Sequence, residues 1–234
     1  FIIFLIKNAF LSYRFKYLSS LPLPMLLGDI VRTEGAAILA FGKHPITQQD
    51  MDTLDKLTDF EGQRKHYNHI TRGDRGDKHD LWKMRIRDDP GEIVDYLPDI
   101  ARAIEPIIGS EEMFARIYKQ VDPWALTFRR IQVNLLKEGN FVGNHIDRKS
   151  NPQWLMACVL HLSEKYEGGE YTIVCPDGEQ RFRAPYGSLL IARTDADHWI
   201  ERVTSGIRKT LVYFVGMDSK PNPNQSMLIE PSGN

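Results

Sequence analysis

The chain has 234 residues, of which 42% are hydrophobic and 26% charged, so it is long enough to bury a core within one structural domain. Its 30 Lys and Arg side chains nearly balance its 31 Asp and Glu side chains, which excludes a global charge that attracts nucleic acid or an anionic membrane. Two cysteines are too few for a disulfide framework, and Cys158 lies in an apolar run, so we expect a cytoplasmic or other reducing intracellular compartment.

The first part of the chain, residues 1–122, has a mainly helical texture. It opens on six apolar residues, well short of the roughly 18 that span a bilayer, so we expect no membrane span and an initial strand or helix that docks on the core. The run "GAAILAFG" (35–42) predicts a short strand. Thr47 followed by Asp50 is a capping-box signal, which predicts a helix from Gln48 to Leu57.

Residues 60–90 are dense in both charge signs and contain several glycines but no clean period, which predicts a long loop. Loops of this length in a compact domain tend to be functional or mobile. Two interpretations stay open: a lid that contacts substrate through Tyr67, Trp82 and Arg85, and a solvated insertion.

Two further helices precede the middle of the chain. Apolar residues recur at helical spacing from Gly91 to Ile108. Ser110 then predicts the N-cap of a helix that runs through Lys119. We expect these helices to cover a sheet.

Residues 123–217 change to short runs rich in Val, Ile, Leu and Tyr, separated by turns such as "KEGN", "EKYEGG", "PDG", "APYG" and "TSG". Short strands in steady succession predict an antiparallel double-sheet roll, so the expected class is α+β, with a jelly-roll core and flanking helices from the first half. Residues 218–234 are expected to form a surface tail. The whole chain is predicted to be one structural domain.

The chemistry-bearing pattern starts in "GNHIDRK", where His145 and Asp147 flank Ile146. Residues two apart on an extended chain point to the same side, so the imidazole and the carboxylate converge. On its own the pair is also typical of a solvated turn. His198 opens a later strand, and two histidines with one carboxylate form the facial triad that leaves open positions on a non-haem iron. Arg208, ten residues further on, begins a mostly apolar strand. Its guanidinium needs an acidic partner in such surroundings, which predicts an acidic co-substrate.

This order and spacing resemble the iron(II)/2-oxoglutarate-dependent dioxygenases, in particular their prolyl-4-hydroxylase-like branch. The resemblance covers residues 128–216 and extends to "YEGGEYTI", "YGSLLIARTDADH" and "VTSGIRKTLVYF". It implies a double-stranded β-helix that binds Fe(II) through His145, Asp147 and His198. It also implies that 2-oxoglutarate chelates the metal and pairs its far carboxylate with Arg208. Ascorbate is a possible reductant, and dioxygen is the second co-substrate.

Other polar residues are weighed by position. His161 stands where several relatives carry a tyrosine that binds the far carboxylate, so it either donates there or is a satisfied core histidine. Gln132 and Asn134 alternate with aliphatic residues, and line the co-substrate pocket or face water.

Competing metal ligands are disfavoured: Asp195 and Asp197 lie in a turn, His66 and His69 lack a third ligand, and His44 and His79 are predicted to face solvent. Arg129, Arg130 and Arg148 either accept an acidic substrate or act as strand-edge charges.

The resemblance implies a hydroxylase that couples decarboxylation of 2-oxoglutarate, to succinate and carbon dioxide, to oxidation of a C–H bond. The expected substrate is a prolyl-like side chain of a peptide, a free amino acid or another small molecule. A nucleic-acid base oxygenase is disfavoured by the neutral charge. A non-catalytic metal- or ligand-binding β-roll is disfavoured because such a roll has no need of Arg208 at that spacing.

Overall fold

A computed structural model describes residues 23–58, 70–71, 80–84, 98–125, 127–149 and 152–217. Its strands form two antiparallel sheets. The main sheet has the order β1-β10-β6-β12-β4-β3-β2, and β7 also pairs with β12. The second sheet has the order β5-β11-β8-β9. The strand bounds are β1 Ala36–Leu39, β2 Ile70–Thr71, β3 Asp80–Met84, β4 Thr127–Lys137, β5 Val142–His145, β6 Trp154–His161, β7 Tyr166–Gly168, β8 Tyr171–Cys175, β9 Gly178–Phe182, β10 Leu189–Arg193, β11 His198–Ile200 and β12 Val203–Gly216.

The helices come from the first half of the chain, as predicted. They are α1 Leu23–Glu34, α2 Gln48–Leu57, α3 Pro98–Ile108, α4 Glu111–Met113 and α5 Lys119–Val121, with one π-helical turn at Phe114–Tyr118 between the last two. The capping box before α2 is present, because Thr47 accepts from Asp50 N while Asp50 accepts from Thr47 N. Ser110 caps α4 by accepting from Met113 N. In the described part of the chain, every helix is too short or too polar to cross a bilayer.

Side-chain alternation along the central strands β6 and β12 divides the interior into two layers. One set of alternate residues packs against the helices: Met156, Cys158, Leu160, Leu211, Tyr213 and Val215. The other set packs between the two sheets: Ala157, Val159, Val212 and Phe214, with Trp154 stacked on the Phe214 ring at 3.9 Å. Each fully buried aliphatic side chain contributes about 1.5–3 kcal/mol, so both layers stabilise the roll. The layer between the sheets also holds the polar residues described below.

Several strands lie where the sequence predicted loops or turns. β3 falls within residues 60–90, and its backbone pairs with β4 from Asp80 opposite Leu135 to Met84 opposite Ile131. Pairing with a long partner strand overrides its weak local pattern. β7 occupies the predicted turn "EKYEGG", and "TSG" lies inside β12, where Gly206 takes a positive φ of 75°.

The main sheet therefore includes β1, β2 and β3 from the first half of the chain. Several predictions lie outside the described residues: the N-terminal segment, the tail from 218 and the first turns of the helix expected from Gly91. Cys158 and Cys175 are both buried and free of disulfide bonds.

Candidate metal centre

His145 and His198 meet because of strand register. His145 ends β5, His198 begins β11, and the two residues are direct cross-strand partners in the second sheet. Directly opposed residues in an antiparallel pair have Cβ atoms about 4.5–5.5 Å apart, so two imidazoles at such a position face one another. Their ring centroids are 4.2 Å apart.

Asp147 reaches the same point from a 3-10 turn at Asp147–Lys149, directly after β5. The turn is held to the segment before His198 by the Arg148 N–H, which donates to Thr194 O at 2.8 Å. The Thr194 hydroxyl in turn donates to Trp154 O at 2.7 Å. These two contacts hold the turn that carries the carboxylate.

The three side chains form a compact donor set. Asp147 Oδ1 lies 3.4 Å from His145 Nε2, and Asp147 Oδ2 lies 3.2 Å from His198 Nε2. All three ligand atoms lie within 4.8 Å of one another. The side chain of His145 is 41% exposed, whereas those of Asp147 and His198 are 11% and 5% exposed. The site therefore opens to solvent on the His145 side.

Backbone carbonyls orient both imidazoles. His145 Nδ1 donates to Gly143 O at 2.8 Å, and His198 Nδ1 donates to Ala196 O at 3.0 Å. A proton on Nδ1 leaves the Nε2 lone pair of each neutral ring free, and such outer hydrogen bonds are typical of metal-binding histidines. Both Nε2 atoms point to Asp147.

The Asp147 carboxylate is ionised in this setting. Burial alone raises its pKa, but the adjacent imidazoles, His198 before His145, hold the pKa of Asp147 well below its usual range. Without a metal, the imidazoles lower that pKa by donating Nε2–H to the carboxylate. A divalent metal takes the place of those protons, because it requires an ionised carboxylate and neutral imidazoles.

Arg208 lies in β12 on the inner face of the roll, and its side chain is one of the largest fully buried groups. Nη1 donates to Thr210 Oγ1 at 3.4 Å, while Nε and Nη2 have no hydrogen-bond partner among the described residues. Burial lowers the pKa of Arg208, and the neighbouring Tyr166 opposes that effect. A guanidinium remains charged in proteins, and the Glu170 carboxylate lies within electrostatic reach of this one. Among the described residues, however, no anion pairs with its Nε and Nη2.

A row of polar side chains crosses the same face of the main sheet next to Arg208. His161 of β6 pairs with Thr210 of β12, which pairs with Asn134 of β4. All three side chains are buried. His161 Nδ1 lies 3.5 Å from the Tyr166 hydroxyl, and His161 Nε2 has no partner in the described part of the chain. Burial first, and the Arg208 charge second, hold the pKa of His161 well below its usual value, so the ring is neutral.

The chain is similar to known proteins both in sequence and in fold. No protein-family model matches the chain. A PKHD-type hydroxylase from Polaromonas sp. is 30% identical over 101 residues, which are 39% of this chain and 44% of that protein. A second, from Synechococcus sp., is 32% identical over 93 residues, which are 36% of this chain and 42% of that protein. The chain thus matches less than half the length of each of these relatives.

Solved structures match far more of the chain. A 2OG-Fe(II) oxygenase-family oxidoreductase from Burkholderia pseudomallei covers 84% of this chain and 91% of its own, with a TM-score of 0.69 and 20% identity. A prolyl-4-hydroxylase from Pseudomonas putida covers 84% of this chain and 100% of its own, with a TM-score of 0.61 and 16% identity. A Trichoplax adhaerens prolyl hydroxylase, solved with a peptide fragment of hypoxia inducible factor, covers 82% and 87%, with a TM-score of 0.59 and 10% identity.

The chain has the fold of the 2OG-Fe(II) oxygenases. The predicted resemblance and the predicted jelly-roll class are both confirmed.

The inner face of this 2OG-Fe(II) oxygenase fold fits the groups that the family name implies. Two imidazole nitrogens and one carboxylate suit non-haem iron and leave coordination positions open. The unpaired nitrogens of Arg208 suit a carboxylate. The donor set and the buried cation therefore match iron(II) and an acidic co-substrate.

The remaining candidates lie apart from this donor set. Asp195 pairs with Arg193 at 2.6 Å, and Asp197 is exposed, so neither joins the triad. His66, His69 and His79, and the side chains of Gln132, Arg129 and Arg130, lie outside the described residues. Arg148 is 42% exposed at the rim, 4.0 Å from Asp195 Oδ2. The segment around Tyr67 and Arg85 is not described, and the backbone of Trp82 pairs with Val133 in the main sheet.

The prediction for His44 was wrong. Its side chain is buried, and Nε2 donates to Gly187 O at 2.8 Å. Local sequence gave no sign of this, because the loop that carries His44 is buried by a segment 143 residues away.

Three residues that support the site had no predicted role. Tyr166 contacts His161, Gly169 lies against the Arg208 side chain, and Tyr171 stacks on His198. Tyr171 shares its face with Ile173, so strand alternation in "EYTIVC" was the available signal.

Proposed function

We propose that this protein is an Fe(II)- and 2-oxoglutarate-dependent hydroxylase. In this proposal His145, Asp147 and His198 bind the iron, and Arg208 binds the far carboxylate of 2-oxoglutarate. The observation that carries it is the fully buried Arg208 guanidinium, on the inner face of the roll that also holds the triad. Two of its nitrogens have no hydrogen-bond partner among the described residues. A buried cation without a partner is costly, and an acidic ligand removes that cost.

Each polar group has a separate task. Iron(II) with 2-oxoglutarate and dioxygen supplies decarboxylation of the co-substrate to succinate and carbon dioxide, coupled to hydroxylation of a C–H bond. Asp147 brings negative charge, and the backbone-oriented imidazoles keep their Nε2 atoms aimed at one point. Arg208 orients the co-substrate from the opposite end through a fork of N–H donors. The apolar layer between the sheets excludes water from this space.

His161 is proposed as a second donor to the same carboxylate. This role requires the ring hydrogen on Nε2, the atom that has no partner among the described residues. Asn134 is buried in the same row and is proposed to line the pocket. Gln132 keeps the role predicted for it from the sequence, and its side chain lies outside the described residues.

The substrate is proposed to approach on the His145 side, where the triad is exposed. A prolyl-like side chain of a peptide is the first candidate, supported by the prolyl hydroxylases among the structural neighbours. A free amino acid or another small molecule is the second. Dioxygen as co-substrate and ascorbate as reductant belong to the same proposal.

The proposal is tested by turnover. Purified protein with Fe(II), 2-oxoglutarate, ascorbate and oxygen is expected to release succinate. Release should rise with a proline-containing peptide or a free amino acid from a panel that also includes oligonucleotides. Measuring succinate and the mass gain of each panel member separates coupled from uncoupled turnover. Absence of succinate under all of these conditions supports a binding-only roll, and oxidation of a nucleic-acid base alone supports the base oxygenase.

Asp147→Ala with Asp195→Ala as its matched control tests the ligand set. Under anaerobic conditions, Fe(II) with 2-oxoglutarate should give a weak visible charge-transfer band. Asp147→Ala is expected to abolish it and to weaken metal binding by more than about 100-fold, because losing even outer partners of metal ligands costs about 10–100-fold. Asp195→Ala changes an exposed aspartate held by Arg193 and should leave the band intact. An equal band in both variants contradicts the ligand assignment.

A further inference from the structure

Tyr171 begins β8 inside the roll, two residues after Gly169. Its backbone pairs with Ile200 on one side and Phe182 on the other. The side chain packs in the layer between the two sheets and is 3% exposed. It therefore shares a layer with the triad rather than with the helices.

The Tyr171 hydroxyl has no hydrogen-bond partner in the described part of the chain. Other buried tyrosines are paired: the Tyr118 hydroxyl donates to Ile108 O at 2.5 Å and contacts the Tyr213 hydroxyl at 3.0 Å. The Tyr166 hydroxyl lies 3.4 Å from Ala184 O. A buried hydroxyl without a partner destabilises the fold, so its retention in a packed interior calls for a ligand that accepts from it.

The surroundings of Tyr171 point to that ligand. Its ring stacks on the His198 ring with a centroid distance of 5.3 Å and an interplanar angle of 25°. Burial first, and the Asp147 carboxylate second, raise the pKa of Tyr171, so the triad lies within electrostatic reach. The Asp147 oxygens nevertheless lie against the two imidazoles rather than against this hydroxyl. The Tyr171 ring thus lies beside one residue of the triad, and its hydroxyl forms a hydrogen bond with none of the three.

We propose that Tyr171 is a co-substrate-binding residue, whose hydroxyl donates a hydrogen bond to an oxygen atom of 2-oxoglutarate held beside His198. This inference rests on the proposed function and adds a third donor to it, on the second sheet, whereas Arg208 and His161 both belong to the main sheet. The co-substrate would then be held by donors from both sheets. A phenol is an effective donor to a carboxylate or carbonyl oxygen.

Tyr171→Phe tests the proposal, because it removes the hydroxyl and keeps the ring that stacks on His198. Binding is measured by calorimetry without oxygen, first with Mn²⁺ alone and then with 2-oxoglutarate on the Mn²⁺-loaded protein; Mn²⁺ stands in for iron and causes no turnover. Mn²⁺ affinity should stay unchanged. The affinity for 2-oxoglutarate should fall about tenfold, the effect of one hydrogen bond to a charged acceptor.

The melting temperature of the metal-free protein provides a second measurement, which should not fall although the affinity for 2-oxoglutarate does. Tyr171→Phe should leave it unchanged or raise it, since the variant removes a buried hydroxyl that lacks a partner. Tyr213→Phe is the matched control, because the Tyr213 hydroxyl is buried and paired with Tyr118 in the layer against the helices. That control should lower the melting temperature and leave 2-oxoglutarate affinity unchanged.

Unchanged 2-oxoglutarate affinity in Tyr171→Phe overturns the inference, whatever the melting temperature does. A loss confined to Mn²⁺ affinity also overturns it, because the hydroxyl then bonds a water on the metal. The wild-type protein separates this failure from that of the proposed function. If wild type binds Mn²⁺ and 2-oxoglutarate while the variant matches it, only the role of Tyr171 falls; if wild type binds no 2-oxoglutarate, both fall.

Discussion

At the scale of single residues, Arg208 is a buried side chain that requires a hydrogen-bond acceptor. It is buried, and two of its nitrogens lack partners among the described residues. Replacing Arg208 with Ala should therefore weaken 2-oxoglutarate binding at least about tenfold, since each hydrogen bond to a charged group contributes about 1.5–3 kcal/mol. Metal affinity should remain close to that of the wild type. Both constants are measured by calorimetry on Mn²⁺-loaded protein.

Arg181→Ala is the control for Arg208→Ala. The Arg181 side chain is 50% exposed on the second sheet and lies 3.6 Å from Glu201 Oε1. An exposed pair of this kind contributes little, so the control should bind 2-oxoglutarate as the wild type does. If both variants bind the co-substrate normally, another group anchors its far carboxylate.

His44 gives a pH-dependent prediction away from the metal centre. Burial lowers its pKa below 6.5, although the hydrogen bond to Gly187 O opposes that effect. The unfolded chain then binds more protons than the folded one in the window below about pH 6.5. The contribution of a neutral His44 to stability is therefore fully present above that pH and is lost as the pH falls through the folded pKa.

The His44→Gln variant tests this sign, because its amide can still donate to Gly187 O and does not titrate. Urea unfolding of the metal-free protein at several pH values from 7.5 to 5 should show a smaller loss of stability in the variant than in the wild type. Identical pH dependence in the two proteins excludes His44 as a contributor.

At the scale of elements, the link between β7 and β8 lies against Arg208, the residue proposed to bind the co-substrate. Gly169 has a φ of +67°, and a Cβ atom there would lie 2.8 Å from Arg208 Cδ. Gly169→Ala should therefore displace the Arg208 side chain as well as strain the backbone. We expect lower 2-oxoglutarate affinity together with a loss of stability. The loss should exceed about 1–2 kcal/mol, which is the cost of the left-handed backbone conformation alone for alanine.

Gly139→Ala separates the two effects. Gly139 has a similar φ of +83°, but a Cβ atom there would have no heavy atom within 4 Å. This control should lose only the backbone contribution, measured by urea unfolding, and should keep its affinity for 2-oxoglutarate. If the two alanine variants are equally stable and bind the co-substrate equally well, Gly169 has no special role in placing Arg208.

The individual strands also show which parts of the site and of the fold could be predicted from the sequence. The spacing of His145 and Asp147 was a local signal, and strand alternation put His161 and Asn134 on one face. The direct pairing of His145 with His198 was not available from either strand alone, because register depends on which strands become neighbours. The same limit explains why β3, which becomes a strand by pairing with β4, was predicted as a loop.

At the scale of the whole molecule, the roll supplies two packed layers of different character. The layer against the helices contains mostly large aliphatic residues, whereas the layer between the sheets also contains buried polar groups. Composition and the succession of turns predicted the roll, because each strand follows a simple local pattern. The unpaired hydroxyl of Tyr171 was not predictable in this way, since a lack of partners appears only when all neighbouring elements are in place.

Buried polar groups of the inner layer that have no partner among the described residues imply that the ligand-free molecule is less stable than the loaded one. A ligand at 100 times its Kd stabilises the folded state by about 2.7 kcal/mol, and 1 kcal/mol raises the melting temperature of a chain of this size by about 2–4 °C. Saturating Mn²⁺ and 2-oxoglutarate together should thus raise it by roughly 5–10 °C in scanning fluorimetry. Succinate lacks the 2-oxo group and should give a smaller shift, and a chelator should reverse the effect. In Asp147→Ala the metal-dependent shift should disappear, because the carboxylate that lies against both imidazoles is also proposed to hold the ion. A full shift in that variant would mean that these ligands stabilise the protein at a different site.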